Sequence, residues 1–234
     1  MYKYLLRFYK KGNMRFLSHL DLGRLFRRAI KKAEISVEYS NGFNPHEKIN
    51  IVQPLSLGFE SESEYFEIAT KTQYGNIELM ELLNSSMPEG IKFYECRETD
   101  PAFNNLSKIT EAAVYSIAVY GDRNEFERLD IGSFLKQDDI TIMKRDKKTK
   151  KMVSKSVKNM IYSIEKVSCD EGVYCLRSVV KCASNESLNP ANLLTALYKF
   201  NNMDFSLEKS RIDRIDIFVK DKSDNLIPLF DFDK

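Results

Sequence analysis

Hydrophobic and polar positions recur with two different periods along this chain, and the two periods predict a mixture of strands and helices. Residues 2–9 alternate aromatic or aliphatic side chains with Lys and Arg, which is typical of a strand. At residues 18–33 the apolar residues recur every three or four positions, which predicts one amphipathic helix beginning at Ser18 and Asp21. Its apolar stripe consists of Leu22, Leu25, Phe26, Ala29, Ile30 and Ala33, and its opposite face carries Arg24, Arg27, Arg28 and Lys31.

The rest of the first half continues this pattern. Strands are predicted at residues 35–39, 49–57, 64–70 and 91–98, and a helix at residues 77–87, closed by Pro88 and Gly90. With the short segment 35–39 left aside, the order is β-α-β-β-α-β, which is that of a ferredoxin-like unit.

The second half repeats this order loosely. Strands are predicted at residues 112–120, 140–144, 152–155, 160–167, 173–182 and 211–219, the last of the chain, and helices at residues 124–135 and 192–200. One hairpin turns within the Lys-rich residues 144–151 and another at Asp170-Glu171-Gly172. The fold class predicted is therefore α+β, with two ferredoxin-like lobes and antiparallel sheets. Residues 1–100 form the N-terminal lobe, and residues 111–234 form a variant C-terminal lobe.

Composition places the chain among folded, water-soluble proteins. Of its 234 residues, 43% are hydrophobic and 30% are charged, enough for a sizeable core. The longest apolar stretch, residues 112–120, is interrupted by Ser116 and is too short to span a bilayer. Because residues 1–7 lack the apolar run of a signal peptide, we expect a cytoplasmic protein with no membrane contact.

The spacing of the cysteines and the absence of the common phosphate-binding and nucleophile motifs exclude several classes of enzyme. Cys96, Cys169, Cys175 and Cys182 form no C-x-x-C pair and have no histidine near them in the sequence. A zinc or iron–sulfur site is therefore unsupported, no metal or cofactor is predicted, and four reduced thiols are expected. The chain also lacks the P-loop, G-x-G-x-x-G and G-x-S-x-G patterns.

Charge is distributed unevenly although the net charge is only +2. Residues 1–50 carry eleven Lys/Arg and four Asp/Glu, a balance of +7, whereas residues 51–100 carry three and ten, a balance of −7. Residues 140–160 carry eight Lys/Arg and one acid, Asp146. Two separate basic surfaces are therefore predicted.

Both histidines lie in the basic N-terminal segment. His19 begins the predicted helix, and His46 ends a loop rich in Asn, Gly and Pro. Such a loop beside a helix N-terminus is suited to an anion such as phosphate, with Arg24 and Arg7 as helpers. Two imidazoles also suit acid–base chemistry, as in a metal-independent nuclease. The alternative is structural, because a histidine at a helix start and a loop of this composition are commonly no more than local structure.

The predicted hairpin at residues 140–155 projects a cluster of cations. Together with the helix face it predicts a nucleic-acid patch of Arg27, Arg28, Lys31, Lys144, Arg145, Lys147, Lys148, Lys150 and Lys151. The chain also has 12 Tyr and 15 Phe, rings that can stack on bases, so RNA is the polyanion expected. The alternative is a solvated turn with no ligand.

A family resemblance is carried by three stretches of the basic segment. They are Met-Arg-Phe-Leu-Ser-His-Leu-Asp-Leu-Gly-Arg at 14–24, Val-Glu-Tyr-Ser-Asn-Gly-Phe-Asn-Pro-His at 37–46, and Pro-Leu-Ser-Leu-Gly at 54–58. They resemble the radical-SAM-linked bacterial domain of unknown function, over about the first ninety residues. The motif residues carried over as a binding site are Ser18, His19, Asp21, Arg24, Tyr39, Ser40, Gly42, Phe43, Asn44, Pro45 and His46.

The resemblance implies a companion of a radical SAM protein. The chain lacks the C-x-x-x-C-x-x-C motif of a radical SAM enzyme itself. The leading hypothesis is a non-catalytic accessory protein that binds RNA or an RNA-linked substrate. One alternative is a metal-independent ribonuclease or RNA-modifying enzyme using His19 and His46, and a second is a protein–protein adaptor.

Overall fold

The computed structural model describes residues 1–100, 105–146, 149–167 and 173–232. They form two compact units: residues 1–110 with 216–234, and residues 111–215. The chain passes from the first unit to the second between residues 110 and 111 and returns to the first at residue 216. Residues 216–234, which the sequence pattern assigned to the second lobe, thus group with the first unit.

Among the described residues, the first unit contains five strands, two α-helices and part of a sixth strand. The elements are β1 (Tyr2–Lys10), α1 (His19–Lys32), β2 (Ile49–Val52), β3 (Glu60–Thr70), α2 (Asn76–Asn84), β4 (Ile91–Thr99), the end of β10 (Ser210–Lys220) and β11 (Leu226–Pro228). The strands β4, β1 and β3 lie side by side, and both β1–β3 and β1–β4 are antiparallel. The short β2 also pairs antiparallel with β3. The α+β class and the mostly antiparallel sheet are confirmed.

Alternation along β1 builds two cores, one on each face of this sheet. Tyr4, Leu6 and Phe8 face a cluster that includes Phe26 of α1 and Leu79 of α2. Phe8, Phe26, Phe66 and Phe93 pack there with ring centroids 4.9–5.8 Å apart. Leu5 points the other way, into a second cluster with Ile217, Val219, Leu229 and Phe230. The C-terminal residues thus cover the sheet face that the helices leave open.

The second unit contains β5 (Thr110–Val119), α3 (Arg123–Glu127), α4 (Ile131–Lys136), β6 (Thr141–Arg145), β7 (Met152–Ser156), β8 (Ile161–Val167), β9 (Tyr174–Lys181), α5 (Pro190–Phe200) and the start of β10. The strands β5, β9 and β8 form antiparallel neighbours in that order. In contrast, β6 and β7 pair only with each other, as a separate two-stranded sheet.

Three predicted elements are corrected by local chemistry. Residues 35–39 form only isolated bridges, Val37 with Thr70 and Tyr39 with Glu47. The strand predicted over residues 49–57 ends at Val52, because Gln53 has a positive φ of 56° and Pro54 has no N–H to donate. The helix predicted over residues 124–135 is two short helices, because the Asp130 side chain accepts from Ser133 N at 2.8 Å and begins a new one.

Two further expectations differ from the structure. The strand β11 follows β10, which the sequence predicted as the last. Cys96 and Cys182 are not in disulfide bonds, but Cys175 is disulfide-bonded, so the expectation of four reduced thiols is wrong. Cys169 and the predicted turn at residues 170–172 lie outside the described residues.

Candidate functional site

The first turn of α1 joins three of the motif residues directly. Ser18 caps the helix: its Oγ accepts from Asp21 N at 3.2 Å and donates to Asp21 Oδ2 at 2.6 Å. The other Asp21 oxygen, Oδ1, lies 2.7 Å from the Arg24 guanidinium. The bonds from Ser18 and Arg24 lower the pKa of Asp21, so this carboxylate stays charged and holds Arg24 in place.

The turn before α1 depends on a buried lysine. Lys10 is only 2% exposed, and its Nζ donates to the carbonyl of Leu17 at 2.8 Å and to that of Arg15 at 3.4 Å. Gly58 N also donates to Arg15 O at 2.9 Å, which ties residues 54–58 to this turn. Two of the three stretches that carry the family motif therefore meet here.

The loop at residues 39–47 is closed at its base and open at its tip. Ser40 N donates to His46 O at 2.8 Å, and His46 N donates to Ser40 Oγ at 2.9 Å. The residues between them are all exposed, and the ring of Phe43 is fully in solvent. Gly42 has a φ of +136°, which favours glycine at this point of the loop.

One ion pair connects this loop to α1, and its position on the helix shows how far it lies from His19. Arg27 Nε lies 3.4 Å from Glu47 Oε2, at the base of the loop. Since Arg27 is eight residues beyond His19, the contact is about 12 Å along the helix from that histidine. His19 is partly buried and His46 is exposed. The anion site predicted at His19, His46 and Arg24 stays a prediction.

Several large apolar side chains of the motif segment face solvent. Phe16 is 59% exposed, Leu20 71% and Leu57 61%. The Arg15 guanidinium lies 4.8 Å from the centre of the Phe16 ring. Apolar side chains beside arginines are typical of an interaction surface, so this end of α1 has the composition of a contact site.

The basic face of α1 forms as predicted, but half of it is paired. Arg24, Arg27, Arg28 and Lys31 are all exposed, and Leu22, Phe26, Ala29 and Ile30 are buried on the opposite side. Arg24 and Arg27 have carboxylate partners in Asp21 and Glu47. Within the described part of the chain, Arg28 and Lys31 form no salt bridge.

The hairpin of β6 and β7 carries the second set of cations. Lys144, Arg145, Lys150 and Lys151 are exposed, and none of them forms a salt bridge with another described residue. The acid of the turn is already engaged, because Asp146 Oδ1 accepts from Thr149 N at 2.6 Å and from Thr149 Oγ1 at 2.8 Å. Lys147 and Lys148, also predicted for this patch, lie outside the described residues.

A groove of about 480 Å³ runs beside this hairpin in the second unit. It lies between β6 and α5, and its walls include Ile142, Met143, Lys199 and Phe200. The rings of Phe134 and Phe200 meet edge to face, with centroids 5.7 Å apart. The groove therefore combines apolar surface with an ammonium group at residue 199.

A polar network on β1 was not anticipated from the sequence. Arg7 donates to Ser63 Oγ at 2.5 Å, to Glu95 at 2.9 Å and to Asp216 at 2.7 Å. Asp216 also accepts from the Tyr65 hydroxyl at 2.5 Å. Burial raises the pKa of Asp216, against the hydrogen bonds and the Arg7 charge that favour its anion. Burial also raises the pKa of Tyr65, and the neighbouring Asp216 carboxylate raises it further. In the sequence Arg7 is only one of the cations of this strand, and its partner Asp216 lies 209 residues away.

These features define a mixed α+β protein with antiparallel sheets and two exposed basic surfaces. The chain belongs to the family described as "Uncharacterized protein conserved in bacteria (DUF2344)", whose model matches residues 3–190. No curated protein matches it. None of the described helices is long and apolar enough to cross a membrane.

Three solved structures are similar in part. A chain of a Cbf5–Nop10–Gar1 complex has a TM-score of 0.47 at 9% identity, over 94% of this chain and 51% of that one. A chain of an archaeal box H/ACA sRNP Nop10–Cbf5 complex has a TM-score of 0.44 at 8% identity, over 90% of this chain and 46% of that one. A chain of an H/ACA RNP bound to a substrate RNA containing 2'-deoxyuridine has a TM-score of 0.43 at 9% identity, over 90% of this chain and 46% of that one. This chain therefore spans about half the length of the chains that it resembles.

Proposed function

We propose that this protein binds single-stranded RNA through the hairpin β6–β7, with the basic face of α1 as a separate contact surface. The observation that carries the proposal is the state of the hairpin cations. Lys144, Arg145, Lys150 and Lys151 are exposed without a carboxylate partner among the described residues, while Asp146 is used by the turn. Cations in this state are available to phosphates, and binding them releases the counterions of the nucleic acid.

The groove beside the hairpin supports RNA with unpaired bases. Phe200 is partly exposed on one wall and Met143 on the other, and Lys199 lies among them. An unpaired base stacks on such apolar surface while its phosphates follow the neighbouring cations, which is the usual arrangement for single strands. A duplex keeps its bases stacked inside and gains nothing from the groove.

The experiment compares two variants of equal charge. Lys144→Gln/Lys150→Gln/Lys151→Gln removes three cations from the hairpin. Lys92→Gln/Lys108→Gln/Lys222→Gln removes three exposed cations of the first unit that form no salt bridge with a described residue. Binding of a labelled, mixed-sequence RNA of about 20 nucleotides is measured by fluorescence anisotropy over a range of salt. Each phosphate contact on a single strand contributes about 0.7 to the salt slope. The hairpin variant is therefore expected to flatten the slope by about 2.

Equal losses of RNA affinity in the two variants would show that binding depends on net charge alone and would refute the hairpin site. Salt-independent behaviour with no RNA retained by the native protein would leave the protein–protein adaptor. Far-ultraviolet circular dichroism of both variants verifies that the fold is unchanged. A duplex of the same length is the second control, and we expect it to bind more weakly.

The enzyme alternative is separated in the same assay. Cleavage of the labelled RNA that resists a chelator and disappears in His19→Ala/His46→Ala would replace the binding protein by a metal-independent ribonuclease. For the binding protein, we expect intact RNA and a nearly unchanged salt slope in that variant.

The accessory role in a radical SAM system is a finer part of the proposal and rests on the sequence resemblance. Its test is affinity purification of the native protein, with identification of both the co-purified RNA and the co-purified proteins. Recovery of a radical SAM protein in the native sample, and its loss in Phe16→Ser/Leu20→Ser, would support that role.

We also propose that each unit is ferredoxin-like. The support in the first unit is the order β4-β1-β3 with β2 on β3, and in the second the order β5-β9-β8 with α5 before β10. In this description β6 and β7 are an insertion into the second lobe.

A further inference from the structure

A cavity of about 370 Å³ lies in the second unit, and it shares no lining residue with the groove beside the hairpin. It is bounded by the end of β5, by α3, by the start of β9, by the end of α5 and by residues 204–209. Five of its lining residues are aromatic: Tyr120, Phe126, Tyr174, Tyr198 and Phe205. Its volume lies within the range of about 300–1,000 Å³ that is usual for small-molecule sites.

The aromatic walls hold one another in place. The rings of Phe126 and Tyr174 are stacked, with centroids 5.1 Å apart, and those of Tyr198 and Phe205 are 5.4 Å apart. Tyr120 N donates to Lys209 O at 2.9 Å, which joins the end of β5 to the segment before β10. The rings are therefore positioned before any ligand arrives, which lowers the entropy lost on binding.

The charges in the lining are mostly negative. Three carboxylates, Asp122, Glu125 and Asp204, face one ammonium group, Lys209, so the described lining residues sum to −2. Asp122 accepts from Asn124 N at 2.6 Å as a helix cap. Glu125 and Asp204 are exposed and form no salt bridge with any described residue. Burial and the charge of Glu125 raise the pKa of the Tyr198 phenol to about 12, as expected in a negative potential.

Aromatic faces and carboxylates both attract cations, the faces through the negative side of the ring quadrupole. The protein already uses this contact at the edge of the same cluster, where Lys166 Nζ lies 5.3 Å from the centre of the Phe126 ring. A metal ion is a poor match, because the described residues contain no group of three or more His, Cys, Asp or Glu placed to hold one.

We propose that this cavity binds a small ligand bearing an alkylated ammonium group. The ammonium contacts the faces of Tyr120 and Tyr198, and Glu125 and Asp204 balance its charge. This site is separate from the groove beside the hairpin, since the two linings share no residue.

The test uses choline and its uncharged isostere, 3,3-dimethyl-1-butanol, on the full chain. Binding is followed by NMR shifts of the tyrosine ring protons and by calorimetry. We expect choline to bind at least about tenfold more tightly than the isostere, because the shapes match and only the charge differs. Equal affinity for the two compounds, or no tyrosine shift at choline concentrations up to about 50 mM, would overturn the proposal.

Variants locate the site without disturbing the fold. Glu125→Gln/Asp204→Asn removes the two carboxylates that form no salt bridge with a described residue. It is expected to lower the affinity for choline at least about tenfold and to leave the affinity for the isostere unchanged. Tyr120→Leu keeps an apolar side chain at this exposed position but removes the aromatic ring, and it should weaken choline binding as well. Glu165→Gln removes an exposed carboxylate of β8 that is not in the lining, and it should have no effect. Equal behaviour of Glu165→Gln and the double variant would refute the site.

Discussion

At Lys10 the alternation of β1 places a charged side chain on the same face as Tyr4, Leu6 and Phe8. The charge is tolerated because two backbone carbonyls of the following turn accept from its ammonium group. A lysine at an inward position of a strand is thus the residue that organises the entry to α1. The alternation of the strand shows in the sequence that Lys10 points inward. The carbonyls of Arg15 and Leu17 that accept from it are backbone atoms, which have no sequence signature.

Asp216 provides a test of the polar network. Asp216→Ala leaves the Arg7 guanidinium without the more buried of its two carboxylate partners, and loss of one member of a buried pair costs about 3 kcal/mol of unfolding free energy. Glu95→Ala removes the other carboxylate on Arg7, whose side chain is 42% exposed, and should cost less than about 1 kcal/mol. Urea denaturation measures both. Similar losses of unfolding free energy in the two variants would show that Asp216 does not stabilise the network more than Glu95.

Cys96 provides a second test at this scale. Burial raises its pKa to about 12, so at pH 8 only about one thiol in 10⁴ is ionised. An ordinary cysteine thiol is partly ionised at that pH. We expect iodoacetamide to modify Cys96 about 10³-fold more slowly in the native protein than in urea, with the rate still rising above pH 10. Rapid native labelling, mapped by mass spectrometry, would contradict this.

At the scale of elements, α1 shows how local signals and packing agree. Its observed limits, His19–Lys32 with Ser18 as the cap, match the prediction over residues 18–33. Leu25, predicted as part of the stripe, is only partly buried but packs against the same core. The single helix predicted over residues 124–135 is wrong because periodicity alone does not show a cap inside a helical pattern. The first helix ends at Glu127, and Asp130 caps the start of the next.

The cap of α1 is testable by itself. Ser18→Ala removes the acceptor for Asp21 N and should lower the unfolding free energy by about 1 kcal/mol. Ser18→Asp restores an acceptor and should recover part of this loss, although it places a second carboxylate beside Asp21. Thermal denaturation followed by circular dichroism measures the series. No loss in Ser18→Ala would mean that the turn bonds of Lys10 hold the helix start without the cap.

At the scale of the whole molecule, the C-terminal residues complete the first unit. A chain ending at residue 215 lacks Asp216, Ile217, Val219, Leu229 and Phe230, and so exposes Leu5 and Tyr65. Burying the four apolar side chains among them contributes on the order of 10 kcal/mol, comparable with the stability of a domain. We therefore expect the shortened chain to lose cooperative unfolding of residues 1–110 and to be cleaved there by trypsin. Unchanged protease resistance would refute the assignment of residues 216–234 to this unit.

Hydrophobic periodicity and helix signals were sufficient for the α+β class, for most strands and helices, and for the basic helix face and hairpin. These are local properties, since side-chain direction follows from the backbone period within one element. Tertiary structure alone decided that residues 216–234 return to the first unit, that Arg7 meets Asp216 across 209 positions, and that five aromatic residues between 120 and 205 enclose a cavity. Those contacts depend on strand pairing between distant segments, and pairing partners are set by the whole packing of the chain and not by any local pattern.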